Sequence, residues 1–365
     1  MMCKLMLFAG AAIASLACQS GNADRDWVRT RNGVLFKGVE IHNVAELVPT
    51  NGLYRFSRVD ARARASMEGR VRPRAFCATG VELRFCLRSP EARIVMGGLG
   101  PSVHETCQIY RGDFAVDWPD ATRTVVGERT EWVFRKTPDA HLRRRVEKFG
   151  CRYDPDVIRV ILPQSADLGI RDVIGDVIPP PPEKLPARTY LAYGSSITHG
   201  SCAGQILRCY ASLVGEALAA DVRNVGLAGS AFMQPEMADF IAGESFDLCS
   251  LEMGVNTLGR MPPDEYERRV RYMVRRVAES HPGARILAID VFRTELSGEA
   301  LEWARDCRRV LERVVRELAL PNVAYVNGLD ALPERGALTT GPLHPSPQGH
   351  AAIAAHLVPL LRTGK

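Results

Sequence analysis

Two textures of apolar and polar positions divide the 365-residue chain. From about Trp27 to Asp176, short apolar runs alternate with turns. Val81-Glu82-Leu83-Arg84-Phe85-Cys86-Leu87 alternates with a period near two, as a half-buried strand does. Ala92 to Met96, Cys107 to Tyr110, Thr130 to Arg135 and Val157 to Leu162 read as further strands. Long helical periodicity is missing here, which predicts a β-sandwich of jelly-roll type over residues 25–177. Gly97-Gly98-Leu99-Gly100 opens no convincing helix and reads as a turn rather than a phosphate-binding loop.

The run Ile178-Pro179-Pro180-Pro181-Pro182-Glu183-Lys184-Leu185-Pro186 cannot lie inside a helix or a central strand. It predicts an extended, semi-rigid spacer over residues 178–187. Beyond it, over residues 188–365, strands alternate with helices. Strands are expected at Thr189 to Tyr193, Val222 to Val225, Phe246 to Met253, Arg285 to Phe292 and Val323 to Val326. Helices are expected at Ile206 to Ala220, Pro235 to Ala242, Pro263 to Ser280 and Gly298 to Leu318. A last helix begins near Ser346, with Ser as N-cap and Pro347 at the first helical position. Five strands with crossover helices predict a three-layer α/β/α domain around a five-stranded parallel sheet.

Composition changes little in this picture. Apolar content of 46% and charged content of 24% are those of an ordinary globular protein. The formal net charge of +5 is scattered, with short clusters such as Arg143-Arg144-Arg145, and gives no nucleic-acid footprint. The N-terminus stands apart: Lys4 precedes an apolar run from Leu5 to Ala17 that contains no acid. That run is too short to span a membrane and has the form of a signal-peptide core, with small residues for cleavage after Ala17. Residues 1–17 are therefore expected to direct export to a periplasmic, secreted or lipid-anchored destination. Attachment to a membrane would require lipidation of Cys18, although Ser15 stands where a lipobox usually has Leu. The ten cysteines include no CxxC pair and no zinc spacing; Cys202 and Cys209 are the nearest candidates for a disulfide.

The ends of the strands in the second region carry the candidate chemistry. Tyr190-Leu191-Ala192-Tyr193 leads into Gly194-Ser195-Ser196-Ile197-Thr198-His199-Gly200, which places a hydroxyl where open α/β sheets collect their chemistry. Gly229 follows Asn224-Val225-Gly226-Leu227-Ala228, Asn256 follows Glu252-Met253-Gly254-Val255, and His344 lies in Gly341-Pro342-Leu343-His344-Pro345. Each segment alone has an ordinary explanation as a cap, a turn or a loop. Together, a serine, a glycine amide, an asparagine and a histidine suffice for acyl transfer. His199 is a candidate pocket-lining residue, whereas His350 and His356 fall inside the last helix as packing or surface residues. Glu252 and Asp247 are acids placed to hold the sheet ends. Cys202, Cys209 and Cys249 read as structural.

The four segments, in this order, resemble the SGNH hydrolase superfamily of GDSL-like esterases and lipases. The run Tyr193 to Ala203 is similar to a branch in which that domain follows a β-sandwich. The resemblance covers about Arg188 to Leu361 and implies a flavodoxin-like fold. It implies Ser196 as nucleophile, His344 as general base, and Ser196, Gly229 and Asn256 as the oxyanion hole. It further implies a serine esterase of short acyl esters, including acetyl groups on carbohydrate, with no metal and no organic cofactor. A carbohydrate O-acyltransferase and a non-catalytic carbohydrate-binding protein are the alternatives. Two positions depart from the family pattern. Ser195 replaces the usual Asp before the nucleophile, and Gly341 stands where the triad acid belongs, three residues before His344. A backbone carbonyl near Gly341 or Pro342 could orient the imidazole, Asp330 or Glu334 could reach in from upstream, or activity could have been lost.

Overall fold

A computed structural model describes residues 26–137 and 139–362. The expected signal peptide and Cys18 lie outside the described residues. No helix among the described residues is long and apolar enough to cross a membrane.

The first region is a sandwich of two antiparallel sheets. One runs in the order Trp27–Arg29, Gly33–Phe36, Val39–His42, Glu82–Leu87, Ile158–Ile161, His104–Arg111, Thr122–Val126. The other runs Thr130–Arg135, Glu91–Gly98, Leu168–Ile174, Leu53–Ser57, Glu46–Thr50. Alternate residues of both, among them Phe36, Ile41, Leu83, Phe85, Ile94, Met96, Trp132 and Phe134, meet in one buried core. Gly97 and Gly98 belong to the strand itself, and the turn begins at Leu99. Two helices that the strand pattern did not predict, Ala61–Ser66 and Ala140–Phe149, interrupt the sandwich. Each is capped by an aspartate: Asp60 accepts Ala63 N–H at 2.7 Å, and Asp139 accepts Leu142 N–H at 2.8 Å. Within the proline-rich run, Val177–Ile178 still pairs with Glu82–Leu87, and Pro182–Lys184 forms a turn of 3₁₀ helix.

The second region contains five parallel strands, β1 (Arg188–Gly194), β2 (Ala220–Gly226), β3 (Leu248–Glu252), β4 (Arg285–Ile289) and β5 (Val323–Val326). Their order is β2-β1-β3-β4-β5, with helices on both faces. Helices Pro235–Ala242, Pro263–Ser280 and Gly298–Leu318 have the bounds read from the sequence. The segment expected as one helix from Ile206 is a 3₁₀ turn, Ile206–Arg208, followed by Tyr210–Ala217. β2 and β3 lie on opposite sides of β1, so the order of strand placement reverses there, and polar groups gather at the carboxyl ends.

β2 is an edge strand, and the sandwich covers it. Arg84 donates two bonds to the Asp221 carboxylate, at 2.9 and 2.8 Å, and Tyr153 and Asn32 donate to the same group. Glu82 accepts from Arg84 and Arg159, so two cations and two anions share one buried cluster. Arg58, fully buried, donates to the backbone oxygens of Asn224 and Gly226 at 3.1 and 2.9 Å. An exposed edge would invite pairing with other chains; here the Val222, Asn224 and Gly226 carbonyls accept from the His42, Asn43 and Arg58 side chains of the sandwich. Ala45, Val59, Ala63, Met67 and Ala75 also join the apolar core beneath the parallel sheet.

Candidate active site

β1 ends at Gly194, and Ser195 turns the chain into the one-turn helix Ser196–His199. Ser195 is extended, and its Oγ accepts Ile197 N–H at 3.2 Å, so it serves as the N-cap of that turn. Gly194 is fixed by close approach: a Cβ there would lie 2.2 Å from Thr198 Oγ1 and 2.3 Å from Glu252 Oε2. Ser196, at the first helical position, keeps a backbone N–H with no intrahelical acceptor. The residue is 9% exposed, and its Oγ lies 2.9 Å from His344 Nε2. The structure thus joins residues separated by 148 positions.

Asn256 lies in the turn Val255–Thr257 after β3, and its Oδ1 accepts Ala231 N–H at 3.0 Å. With the oxygen engaged, the amide presents Nδ2 as its free donor. Gly229 adopts φ +71°, a left-handed conformation that favours glycine, and a Cβ there would meet nothing within 4 Å. Its N–H makes no hydrogen bond among the described residues, and the turn it lies on is tied to Asn256 through Ala231. Arg260 approaches the Gly229 carbonyl at 3.5 Å and pairs with Glu68 of the sandwich at 2.9 Å. This contact brings the first region to the rim of the site.

His344 sits on a loop pinned at several points. Thr339 N–H bonds the His344 carbonyl at 2.9 Å, Leu338 pairs with Pro345, and Glu295 N–H bonds the Pro342 carbonyl at 2.8 Å. Ser346 caps the following helix, accepting Gly349 N–H at 3.2 Å. Partial burial lowers the His344 pKa below the ordinary imidazole value. Among the described residues no carboxylate forms an ion pair or hydrogen bond with this ring. Asp330 and Glu334 are both exposed, and neither bonds His344. The upstream acids are thus not brought to the base.

His199 and His350 are buried inside the fold. His199 is 1% exposed, too buried to line a pocket. Its ring lies 3.0–3.1 Å from Thr79 Oγ1 and 3.2 Å from the Gly226 carbonyl, and burial lowers its pKa to about 3. His350 is buried, accepting Tyr210 N–H through Nδ1 and donating from Nε2 to the Ser201 carbonyl. His356 is partly buried in the same helix. Asp247 accepts Thr189 N–H at 2.8 Å at the start of β1, and Glu252 accepts Ser195 N–H at 2.6 Å at its end. Both hold the sheet ends, as their positions suggested. The eight described cysteines are free thiols: Cys202 is exposed and Cys209 buried, and no disulfide joins them. A cavity of about 810 Å³ lies in the sandwich beside Arg111, Phe134 and Leu142, and none of Ser196, Gly229, Asn256 or His344 lines it.

A hydroxyl bonded to an imidazole can attack an acyl carbon, and Gly229 N–H and Asn256 Nδ2 are donors on the turns that follow β2 and β3, the two strands paired with β1. Residues 192–352 match the model of the GDSL-like lipase/acylhydrolase family. The fold is similar to that of the salicylyl-acyltransferase SsfX3 of a tetracycline biosynthetic pathway (TM-score 0.70, 18% identity, 88% of this chain and 93% of that one). It is also similar to a family two carbohydrate esterase from Cellvibrio japonicus (TM-score 0.58, 15% identity, 89% and 95%). A third likeness is to a family two carbohydrate esterase from Clostridium thermocellum (TM-score 0.55, 15% identity, 78% and 92%). No curated protein matches the chain.

Proposed function

Taking residues 192–352 as a GDSL-like lipase/acylhydrolase domain of SGNH type, we propose that the chain is an exported serine esterase acting on short acyl esters. The observation that carries the reading is the 2.9 Å contact between Ser196 Oγ and His344 Nε2. Ser196 Oγ attacks the ester carbonyl carbon while His344 Nε2 takes the hydroxyl proton. The Ser196 and Gly229 amides and Asn256 Nδ2 bind the oxyanion. The tetrahedral intermediate collapses, the C–O bond to the alcohol breaks, and His344 returns its proton to the leaving oxygen. Water, deprotonated by His344, then attacks the acyl-enzyme, and the carboxylic acid leaves as Ser196 recovers its proton. Among the described residues neither a carboxylate nor a backbone carbonyl is hydrogen-bonded to the His344 ring, so the reading is a Ser–His dyad whose loop is held by the Thr339 and Glu295 N–H groups.

The carbohydrate esterases of similar fold support an acetyl group on a carbohydrate as the substrate. Glu68, reaching Arg260 beside Gly229, supports the sandwich as one wall of the cleft. The likeness to an acyltransferase keeps the first half-reaction and changes only the acceptor.

The test is turnover of p-nitrophenyl acetate and acetylated xylan by the wild type, Ser196→Ala and His344→Ala, with acetate and any transferred acetyl ester both quantified. Free acetate from the wild type and none from Ser196→Ala is the expected result. Acetyl transfer to added sugar in preference to water would make the protein a transferase. Unchanged turnover in Ser196→Ala would overturn the serine mechanism.

A further inference from the structure

Glu252 is an expensive residue in its place. It ends β3 at 1% exposure, among the described residues it pairs with no cation, and burial raises its pKa. Its Oε1 has no hydrogen-bond partner at all. Buried carboxylates without a counter-charge are costly to retain, so what the other oxygen does is informative. Oε2 accepts Ser195 N–H at 2.6 Å and Thr198 Oγ1–H at 2.9 Å. Thr198 uses its one hydroxyl proton on Glu252, so the Tyr210 hydroxyl, 2.6 Å away, donates to Thr198. Both residues bonded by Oε2 flank Ser196 in sequence, one immediately before it and one two residues after.

We infer that Glu252 is the positioning residue of the nucleophile: one carboxylate oxygen clamps the chain on both sides of Ser196. The clamp fixes the peptide ahead of Ser196 and the helical turn behind it, so the Ser196 hydroxyl and amide are held toward one point. Glu252 touches neither substrate nor the reacting oxygen. It acts through Ser195 and Thr198, and the lack of a Cβ on Gly194 is what lets its carboxylate approach. A hydrophobic residue of similar size would pack in the same space and leave Ser195 N–H buried without an acceptor.

This inference rests on Ser196 being the nucleophile. The experiment measures kcat and KM on p-nitrophenyl acetate for Glu252→Ala, Glu252→Gln, Thr198→Val and Ser196→Ala, with thermal unfolding of each. A misplaced reacting group costs on the order of a hundredfold in rate. Glu252→Ala should therefore lose kcat by about that factor with KM within about twofold. Glu252→Gln keeps an oxygen able to accept both bonds and should recover about tenfold or more of the loss, which a general loss of packing would not produce. Thr198→Val, which removes one arm of the clamp in a near-isosteric side chain, should lower kcat by about tenfold and serves if Glu252→Ala does not fold. A folded Glu252→Ala with wild-type kcat, equal losses in Glu252→Ala and Glu252→Gln, or wild-type kcat in Thr198→Val overturns the inference. Activity lost in Ser196→Ala but kept in Glu252→Ala defeats this inference alone; activity kept in Ser196→Ala defeats the serine reading and this inference with it.

Discussion

Asn256 turns its side-chain oxygen onto the backbone N–H of Ala231 at 3.0 Å, and this one bond decides what the residue can offer a substrate. The carboxamide oxygen is occupied, so the group facing a bound ester is a donor. Asn256→Ala should lower kcat by ~10²–10³-fold, about 3 kcal/mol of transition-state stabilisation, with little change in KM. Asn256→Asp should do at least as much damage, because a carboxylate facing the oxyanion repels it. Steady-state kinetics on p-nitrophenyl acetate checks both; an alanine variant within about threefold of wild type would remove Asn256 from the oxyanion hole.

The pH profile follows from the direction of the His344 shift. The base must be neutral to accept the Ser196 proton, and partial burial lowers its pKa. A lowered imidazole pKa keeps the base neutral at pH values where an ordinary histidine is already charging. Activity should therefore persist at neutral pH and fall on acidification, with the acid limb of kcat/KM centred below the usual histidine value of about 6.5. A carboxylate paired with the ring would raise the pKa instead. An acid limb centred above about 6.5 would thus contradict the environment seen here.

The same environment bears on the upstream acids. Asp330 and Glu334 are exposed and make no bond to His344, so Asp330→Asn and Glu334→Gln should leave kcat/KM within a few-fold. Loss of the buried acid in a Ser-His-Asp enzyme costs about four orders of magnitude. A loss of about a hundredfold or more in either variant, with folding intact, would reveal an acid that closes on the ring when substrate binds.

The parallel sheet was legible because its strands are apolar runs and its long helices carry both signals of a helix. Pro263–Ser280 opens with proline and acids and buries a stripe through Tyr266, Val270, Met273 and Val277. Helices Ala61–Ser66 and Ala140–Phe149 were not legible: each buries a single residue, Ala63 or Leu142, and so leaves no apolar stripe to read. Ser196, Gly229, Asn256 and His344 stood out as candidates because of their order along the chain, and of these the structure brings Ser196 and His344 into contact. Arg58, Arg84 and Arg223 could not, since an arginine normally signals surface. They are buried because the sandwich closes over the edge strand β2, a relationship between two regions that local pattern does not encode. The role of His199 was hidden for the same reason, its partner Thr79 being 120 positions away. The spacing of Cys202 and Cys209 suggested a bond, but one thiol faces outward and the other is buried in the core.

That buried arginine interface yields the last prediction, one of stability rather than turnover. Asp221 is 1% exposed and accepts from Arg84, Tyr153 and Asn32. Burial by itself would raise its pKa, but the Arg84 guanidinium overrides that and holds the carboxyl well below the usual range. Asp221→Asn removes the carboxylate that accepts both Arg84 bonds and leaves that buried guanidinium to share Glu82 with Arg159, whose other acid, Asp113, lies 3.9 Å away. Breaking one side of such a buried pair costs roughly 3–5 kcal/mol. The sign of the pH dependence follows from the depressed pKa. The stability that Asp221 contributes is present above the unfolded carboxylate value of about 4 and is lost as pH falls through the lower folded value. Urea unfolding should therefore show the full difference between wild type and Asp221→Asn at pH 7, narrowing only below about pH 4. A difference under about 1 kcal/mol at pH 7 would mean that the apolar contacts of Ala63, Met67 and Ala75 hold the sandwich to the parallel sheet without help from the ion cluster.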